Sequence, residues 1–255
     1  MKIALMTGLL LLALPLAAHD LYLVVDGNKV CARVGEHFPE SMSTMPANRP
    51  GLWQARGAGA PAKLTGTVEE AKKQLCAPLP EKAPVVEMTV NPVFIRLQAK
   101  DFNGYIEGEG FKSVIAARKA KGATESEGRE LYSRYTKLIL PGAGAEGTKA
   151  LGHVAEIVPE KSPDQLKAGE ALPVRVMFRG KPLAGVRVSA VYAGAKLEGH
   201  TYPVNAETDV NGRAQLKLDR PGLWYARLIH MVPAENDPDI DWRSFFVTLT
   251  FEVPK

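Results

Sequence analysis

From residue 151 onward, the chain repeats short segments rich in β-branched and aromatic residues, separated by turn signals. The turns at 179–182, 209–212 and 220–222 carry Gly together with Pro, Asn or Asp. Roughly seven short strands with such turns are typical of an immunoglobulin-like sandwich. We therefore predict a mainly β protein whose residues 146–255 form an immunoglobulin-like or prealbumin-like β-sandwich. The predicted strands are 154–158, 172–178, 186–193, 214–218, 224–229 and 245–253.

Residues 19–145 are predicted to form a second β-rich region. Two β-prone runs, 20–25 and 29–34, are joined by Asp, Gly and Asn, a combination that indicates a hairpin. Residues 35–61 are rich in Pro, Gly, Met and Ser, and in residues 93–98 Val93, Ile95 and Leu97 alternate with Phe94, Arg96 and Gln98. They predict a long loop over 35–61 and further strands at 62–67, 73–77, 85–90 and 93–99.

A helical segment is predicted to interrupt this β-rich region over about residues 101–140. Asp101 is suited to cap a helix, and Phe102 and Ile106 follow it at helical spacing. Residues 125–140 are predicted to form a second, shorter helix, which a Pro-Gly pair ends.

Residues 1–18 have the organisation of a secretory signal peptide. Lys2 supplies the positive charge, residues 3–16 form the apolar core, and Ala18 is a small residue before the expected cleavage site. Cleavage there would leave His19 as the N-terminal residue of a periplasmic protein. The apolar run is shorter than the roughly 20 residues that a membrane span needs, and no second run follows. The mature chain is therefore predicted to have no membrane span.

The sequence has two cysteines, Cys31 and Cys76. In an exported protein an even pair is most simply one disulfide, because the compartment is oxidising. The alternative, two thiolate ligands of a metal ion, normally places the cysteines close together or beside a histidine, which this sequence does not do. We predict a disulfide.

The formal net charge of +4 is spread along the chain. A nucleic-acid-binding protein needs a concentrated basic stripe, so nucleic acid is not a predicted partner. The sequence contains no Gly-x-Ser-x-Gly elbow, phosphate loop or dinucleotide fingerprint. We accordingly predict that the protein is not an enzyme.

Four histidines are the candidate ligands of a metal ion. An N-terminal His19 offers its imidazole and an α-amine, whose unperturbed pKa of roughly 7.7–8 lets a metal displace the proton near neutrality. His37 and His230 lie where strands pass into loops, and loops at one end of a sandwich converge, so both could complete the site. His153 is a reserve ligand, and Asp20 could orient an imidazole nitrogen. Imidazole suits zinc, copper, iron and nickel, so the residue types leave the metal open.

Several motifs resemble, in the same order, those of one family of exported bacterial proteins. The resemblance spans nearly the whole mature chain and is to the domain-of-unknown-function 4198 family, whose members are often described as the periplasmic component of cobalt or nickel transport. The similar segments are Ala-His-Asp-Leu-Tyr at 18–22, 105–110, 132–137, Leu-Gly-His at 151–153, 156–159, 180–185, 208–209, 212–213, His-Met at 230–231, 241–242, 244 and 249–251.

The resemblance implies metal handling. The family's Ala-His-Asp start is matched by His19 and Asp20, and its His-Met segment is matched at His230. Its Gly-His-x-Phe-Pro-like segment is altered, because Glu36 and His37 stand between the glycine and the phenylalanine here.

We therefore predict a periplasmic transition-metal-binding protein that assists metal uptake. Nickel or cobalt is favoured, copper and zinc are alternatives, and a membrane metal transporter or an outer-membrane receptor is the expected partner. One other function left open is a metal-free β-sandwich module that binds carbohydrate or an envelope protein through aromatics such as Trp53, Trp224 and Trp242. The other is a copper oxidase in which the N-terminal histidine forms a brace.

Overall fold

The computed structural model describes residues 19–57, 59–199 and 201–255, and the predicted signal peptide lies outside this part of the chain. The described residues are mainly β, as predicted, and none of their helices is long and apolar enough to cross a membrane. The strands are β1 Asp20–Asp26, β2 Lys29–Gly35, β3 Pro50–Arg56, β4 Ala62–Lys63, β5 Thr67–Glu69, β6 Gln74–Pro78, β7 Val85–Leu97, β8 Gly128–Ile139, β9 Ala155–Pro159, β10 Ala171–Phe178, β11 Lys181–Pro182, β12 Arg187–Tyr192, β13 Val204–Glu207, β14 Arg213–Lys217, β15 Gly222–Pro233 and β16 Trp242–Val253. The α-helices are α1 Ala99–Gly108 and α2 Lys112–Ala120, and short 3-10 helices lie at Glu70–Lys72, Gly144–Thr148 and Pro163–Gln165.

The C-terminal part is a β-sandwich, which confirms the predicted fold class. Strands β9, β10, β11 and β14 form one layer, and β12, β13, β15 and β16 belong to the other. The core between the layers is built from alternating residues of β10, such as Leu172, Val174 and Val176, and from Trp224 and Leu228 on β15. All five are buried, because a sandwich strand turns every second side chain into the core.

The second layer of the sandwich continues into the N-terminal half of the chain as one eight-stranded sheet. The strand order is β13-β12-β15-β16-β8-β7-β3-β4. The two halves meet where β8 and β16 pair in parallel, with Glu130 opposite Trp242 and Leu138 opposite Thr250. The boundary drawn at residues 145 and 146 from the sequence is therefore crossed by a continuous hydrogen-bonded sheet.

The N-terminal hairpin lies in a smaller sheet of order β1-β2-β6-β5. The predicted hairpin is present, with Asp26 opposite Lys29 across its turn. Cys31 on β2 stands opposite Cys76 on β6, and the two form a disulfide, as predicted. Leu23 packs with apolar side chains of β3, β6 and β7, so the small sheet is attached to the large one through a buried apolar layer.

Two sequence-based assignments in this half are wrong. The helical segment predicted over 101–140 ends at Ala120, and β8 occupies Gly128–Ile139. Strand β8 lies inside the large sheet with both neighbours paired and Thr136 to Ile139 all buried, so no simple alternation distinguishes it from a helix. The loop predicted over 35–61 contains β3, where Trp53 and Ala55 are buried on one face.

Helices α1 and α2 cover the large sheet near the start of β8. Phe102 and Ile106 of α1 and Val114 of α2 pack against Met231 and Trp242. Helix α1 begins at Ala99 with Gln98 as its N-cap, so Asp101 lies in the first turn rather than at the cap. A carboxylate in the first turn still favours the helix, because it faces the positive end of the helix dipole.

Candidate functional site

His19 lies immediately before β1 and is buried, with 7% of its surface exposed. Its Nε2 atom is 3.1 Å from Oε1 of Glu36. Its Nδ1 atom is shielded from solvent and has no hydrogen-bond partner among the described residues. Buried polar atoms are nearly always paired, so an unpaired imidazole nitrogen calls for an explanation.

The β1–β2 hairpin positions Glu36 beside His19. The ladder pairs Asp20 with Gly35, so the next residue on each strand lies just beyond the open end of the hairpin. These two residues are His19 and Glu36, and their contact follows from the register of the hairpin. The Glu36 side chain is 47% exposed, whereas the imidazole of His19 is buried.

Asp20 is held by three groups of the C-terminal half and not by an imidazole. Its carboxylate accepts hydrogen bonds from Nε of Arg227 at 3.0 Å, from the Tyr225 hydroxyl at 2.9 Å and from the Tyr202 hydroxyl at 3.3 Å. Glu36, rather than the predicted Asp20, is therefore the carboxylate that contacts His19.

Arg227 extends this network to the end of α1. Its two terminal nitrogens donate to the carboxylate of Glu109, each at 3.0 Å. Burial alone would lower the pKa of Arg227, but Asp20 and Glu109 together raise it well above its usual range. A charged guanidinium between two carboxylates fixes the position of Asp20 and, through it, the backbone next to His19.

The other three candidate histidines have separate surroundings. His37 is exposed in the loop after β2. His230, on β15, packs its ring edge-on to Phe178 at 4.6 Å, and burial together with the charge of Arg179 lowers its pKa. His153 places its Nε2 atom 2.6 Å from Oε2 of Glu87.

The four histidines therefore do not form one cluster. Among the described residues, no group of three or more His, Cys, Asp and Glu side chains could hold a metal ion. His153 and His230 are instead the two ends of a row of rings that runs through Tyr135, Phe245 and Phe178. Among the imidazoles of the described residues, that of His19 has a buried nitrogen, Nδ1, without a hydrogen-bond partner.

No local pattern of residues indicated Glu87 as the partner of His153. Glu87 is fully buried on β7 and also accepts hydrogen bonds from Gln54 and Arg56. Burial would raise its pKa, but the hydrogen bonds from His153, Gln54 and Arg56 lower it to about 2. This cluster joins β3 and β7 to the segment before β9, so it connects the two halves of the chain.

The three tryptophans are all buried. Trp53 lies in the core beneath the small sheet, Trp224 in the core of the sandwich, and Trp242 under the helices. They therefore do not form the exposed aromatic platform on which carbohydrate recognition by these side chains would depend.

The chain is therefore a mainly β protein, in which a C-terminal β-sandwich shares its large sheet with an N-terminal half that carries a smaller sheet. Residues 16–232 match the family described as "Domain of unknown function (DUF4198)", and the chain belongs to this family. No protein of curated function matches the chain. Among solved structures, it is similar to the D0-D1 domain of intimin, with 13% sequence identity over 92% of this chain and 98% of that chain and a TM-score of 0.24.

Proposed function

We propose that the protein binds a transition-metal ion in the periplasm through its processed N-terminus and assists the uptake of that ion. The ion is a cargo, nickel or cobalt in the first place, and a membrane metal transporter or an outer-membrane receptor receives or delivers it. The observation that supports the proposal is the Nδ1 atom of His19, which is buried and has no hydrogen-bond partner among the described residues.

The contact with Glu36 prepares His19 for this role. A carboxylate 3.1 Å from Nε2 favours the tautomer with the proton on Nε2, and this tautomer leaves the lone pair on Nδ1. Nδ1 is also the ring nitrogen closer to the backbone nitrogen of the same residue, so both atoms can bind one ion in a chelate ring. Carboxylates that hold the second nitrogen of a ligating imidazole commonly fix its orientation in this way.

One histidine supplies only two donor atoms, so further ligands are needed. His37 is the best placed of the other candidates, because it directly follows Glu36 and its side chain is exposed. His153 is hydrogen-bonded to Glu87, and His230 is packed against Phe178. A protein that fills only part of the coordination sphere leaves positions for a partner, which suits the transfer of an ion better than its storage.

The test is calorimetric titration of the mature protein beginning at His19 with nickel, cobalt, copper and zinc in turn. The matched control carries one additional residue before His19, which moves the α-amine away while keeping the imidazole. We expect the extension to weaken binding at least tenfold, and Glu36→Gln to weaken it by roughly 10–100-fold because the ring loses its orienting carboxylate. The affinity of a given site for these metals ordinarily rises from cobalt through nickel to copper, so copper is expected to bind more tightly than nickel at any site of this kind. The metals are compared at one pH.

Equal affinity with and without the additional residue would refute the N-terminal site. The absence of binding by both samples would favour the metal-free binding module instead. A marked preference for copper together with reductant-dependent oxygen consumption by the loaded protein would favour the oxidase over uptake.

A further inference from the structure

A cavity separate from the N-terminal histidine lies between two loops, one joining α2 to β8 and the other joining β15 to β16. Its volume is about 550 Å³. This volume falls within the roughly 300–1,000 Å³ of small-molecule sites. The lining includes Arg118 and Lys121 at the end of α2 and Trp242 at the start of β16. These three side chains donate hydrogen bonds and cannot accept them, so together they are suited to a ligand with acceptor atoms.

Arg118 is a buried guanidinium whose hydrogen-bond partners among the described residues are all neutral. Only 3% of the residue is exposed. Its Nε atom donates to Oδ1 of Asn103 at 3.2 Å, and its Nη2 atom donates to the carbonyl oxygens of Ser126 at 2.6 Å and of Thr124 at 3.4 Å. These acceptors satisfy N–H groups but carry no negative charge. Buried charges are ordinarily paired, so Arg118 favours an anion beside it.

Asp241 is the carboxylate that acts on Arg118, but it is bound by Arg129. Its Oδ2 atom accepts hydrogen bonds from the backbone nitrogen of Arg129 at 3.0 Å and from Nε at 3.1 Å, and its Oδ1 atom accepts from Nη2 at 2.8 Å. Burial lowers the pKa of Arg118, and Asp241 raises it without a hydrogen bond between the two side chains. Asp241 therefore does not take the place of a bound anion.

Each of the three carboxylates in the lining is paired with its own arginine. The pairs are Glu127 with Arg96 at 3.3 Å, Asp237 with Arg243 at 3.3 Å and Asp241 with Arg129 at 2.8 Å. Arg118 and Lys121 of the lining have no ion-pair partner among the described residues. The other acidic residues of the two loops are exposed and do not line the cavity; they are Glu125, Glu235 and Asp239. The lining therefore has an excess of positive charge, on Arg118 and Lys121.

The indole of Trp242 is a second, independent indication of a missing acceptor. Trp242 is 3% exposed, and its Nε1 atom is shielded from solvent and has no hydrogen-bond partner among the described residues. Buried polar atoms are nearly always paired, and an indole N–H can only donate. Trp53 also has an unpartnered Nε1 atom, but it lies in the core beneath the small sheet and does not line this cavity.

We propose that this cavity binds a free phosphate monoester, whose phosphate group is held by Arg118, Lys121 and the indole N–H of Trp242. A phosphate monoester carries about −1.5 to −2 charges at pH 7 and three strong acceptor oxygens. Its charge matches the excess on Arg118 and Lys121, whereas a monocarboxylate would balance only half of it. The planar fork of an arginine is also well suited to phosphate. The binding is independent of the proposed metal site, since none of these three residues contacts His19.

The test is calorimetric titration of the metal-free mature protein with glycerol 3-phosphate at pH 8 and constant ionic strength. Glycerate, which has a similar polar body but a single carboxylate, is the matched probe. We expect glycerol 3-phosphate to bind at least tenfold more tightly than glycerate, because the phosphate carries nearly twice the charge. Equal binding of the two probes, or no binding of glycerol 3-phosphate, would show that the cavity does not recognise phosphate, and the proposal would be wrong.

Two exposed lysines at the end of α2 test the location without disturbing the core. Lys121 lines the cavity, whereas Lys119 does not. Lys121→Gln should weaken the binding of glycerol 3-phosphate about three- to fivefold, the amount expected from an exposed ion pair. Lys119→Gln removes the same charge from the same helix and should leave binding unchanged. Equal losses in both variants would indicate attraction by net charge alone and would overturn the assignment.

Two tryptophan variants test the indole N–H. Trp242→Phe keeps an aromatic ring but removes the donor, and it should weaken the binding of glycerol 3-phosphate about tenfold. Trp53→Phe makes the same change at the other unpartnered indole and should have no effect. An unchanged affinity in Trp242→Phe, with the fold confirmed by circular dichroism, would contradict the proposed contact. The additional residue before His19, which tests the metal site, should not alter phosphate binding, so the two proposals can fail separately.

Discussion

Glu130 is a buried carboxyl group with few polar neighbours. The Ser244 hydroxyl donates a hydrogen bond to one of its oxygens, the Tyr105 hydroxyl lies 3.5 Å from the same oxygen, and the second oxygen has no partner among the described residues. Arg134 is the nearby cation that acts on it. Burial raises the pKa of Glu130 to about 7, above its usual 4.5, although the hydrogen bonds and Arg134 lower it.

This raised pKa makes the stability of the protein pH-dependent. The folded state keeps its proton up to about pH 7, whereas the unfolded chain releases it near pH 4.5, so stability falls as the pH rises between these values. We expect Glu130→Gln to remove this decrease and to stabilise the protein at pH 8 by about 2–3 kcal/mol relative to the wild type. Urea denaturation at pH 5 and pH 8 measures the difference. Glu127→Gln, near the surface, is the matched control, and an equal gain in that variant would contradict the assignment to Glu130.

At the residue scale, the sequence could predict which side chains are able to form a bond or bind a ligand, but for most of them it could not predict which residue they contact. The Cys31–Cys76 pair was predictable because only one pairing exists. The contact of His19 with Glu36 requires the register of the hairpin, which the turn indicates but does not fix. The pairing of His153 with Glu87 joins residues 66 positions apart, and no local pattern connects them.

Gly128 shows how closely α1 approaches the sheet. A Cβ atom at this position would lie 2.2 Å from Cγ of Phe102, a side chain that is fully buried. The helix would have to move to accommodate it. Gly104, in the same helix, has no neighbour within 4 Å of the position that a Cβ atom would take.

These two glycines give a matched pair of variants. We expect Gly128→Ala to destabilise the protein by about 1–3 kcal/mol, because overpacking shifts α1 away from β8. Gly104→Ala should instead stabilise it by up to about 1 kcal/mol, since alanine favours a helix over glycine. Thermal unfolding followed by circular dichroism measures both. Destabilisation by both substitutions to the same extent would show that α1 does not contact the sheet in this way.

At the element scale, the sequence predicted the main strands of the C-terminal sandwich, including the buried β15 and β16, but missed β3 and β8 in the N-terminal half. The strands of the sandwich alternate clearly, as in β10 and β14. In β8, which lies between β7 and β16, Thr136 to Ile139 are all buried, so the strand shows no simple alternation and its apolar spacing also fits a helix. The Pro- and Gly-rich composition around β3 concealed a strand whose burial depends on the small sheet above it.

At the scale of the whole molecule, the segment that follows His19 is attached to both the large sheet and α1. The hairpin that begins after His19 is packed on the large sheet, and the Asp20–Arg227–Glu109 network links it to β15 and to the end of α1. A metal-binding N-terminus in this position would be preorganised, because its neighbouring residue is fixed by buried, charged hydrogen bonds.

The continuous sheet leads to a prediction about cooperativity. Because β8 and β16 pair across the two halves and the Glu87–His153 contact joins them again, the mature protein should unfold in a single transition with equal calorimetric and van't Hoff enthalpies. A fragment of residues 146–255 should not fold alone, since β16 loses β8, one of its two neighbours, and exposes a long apolar edge. Differential scanning calorimetry of the mature protein and circular dichroism of the fragment are the measurements. Two separate transitions, or a fragment that unfolds cooperatively by itself, would mean that the halves are independent domains despite the shared sheet.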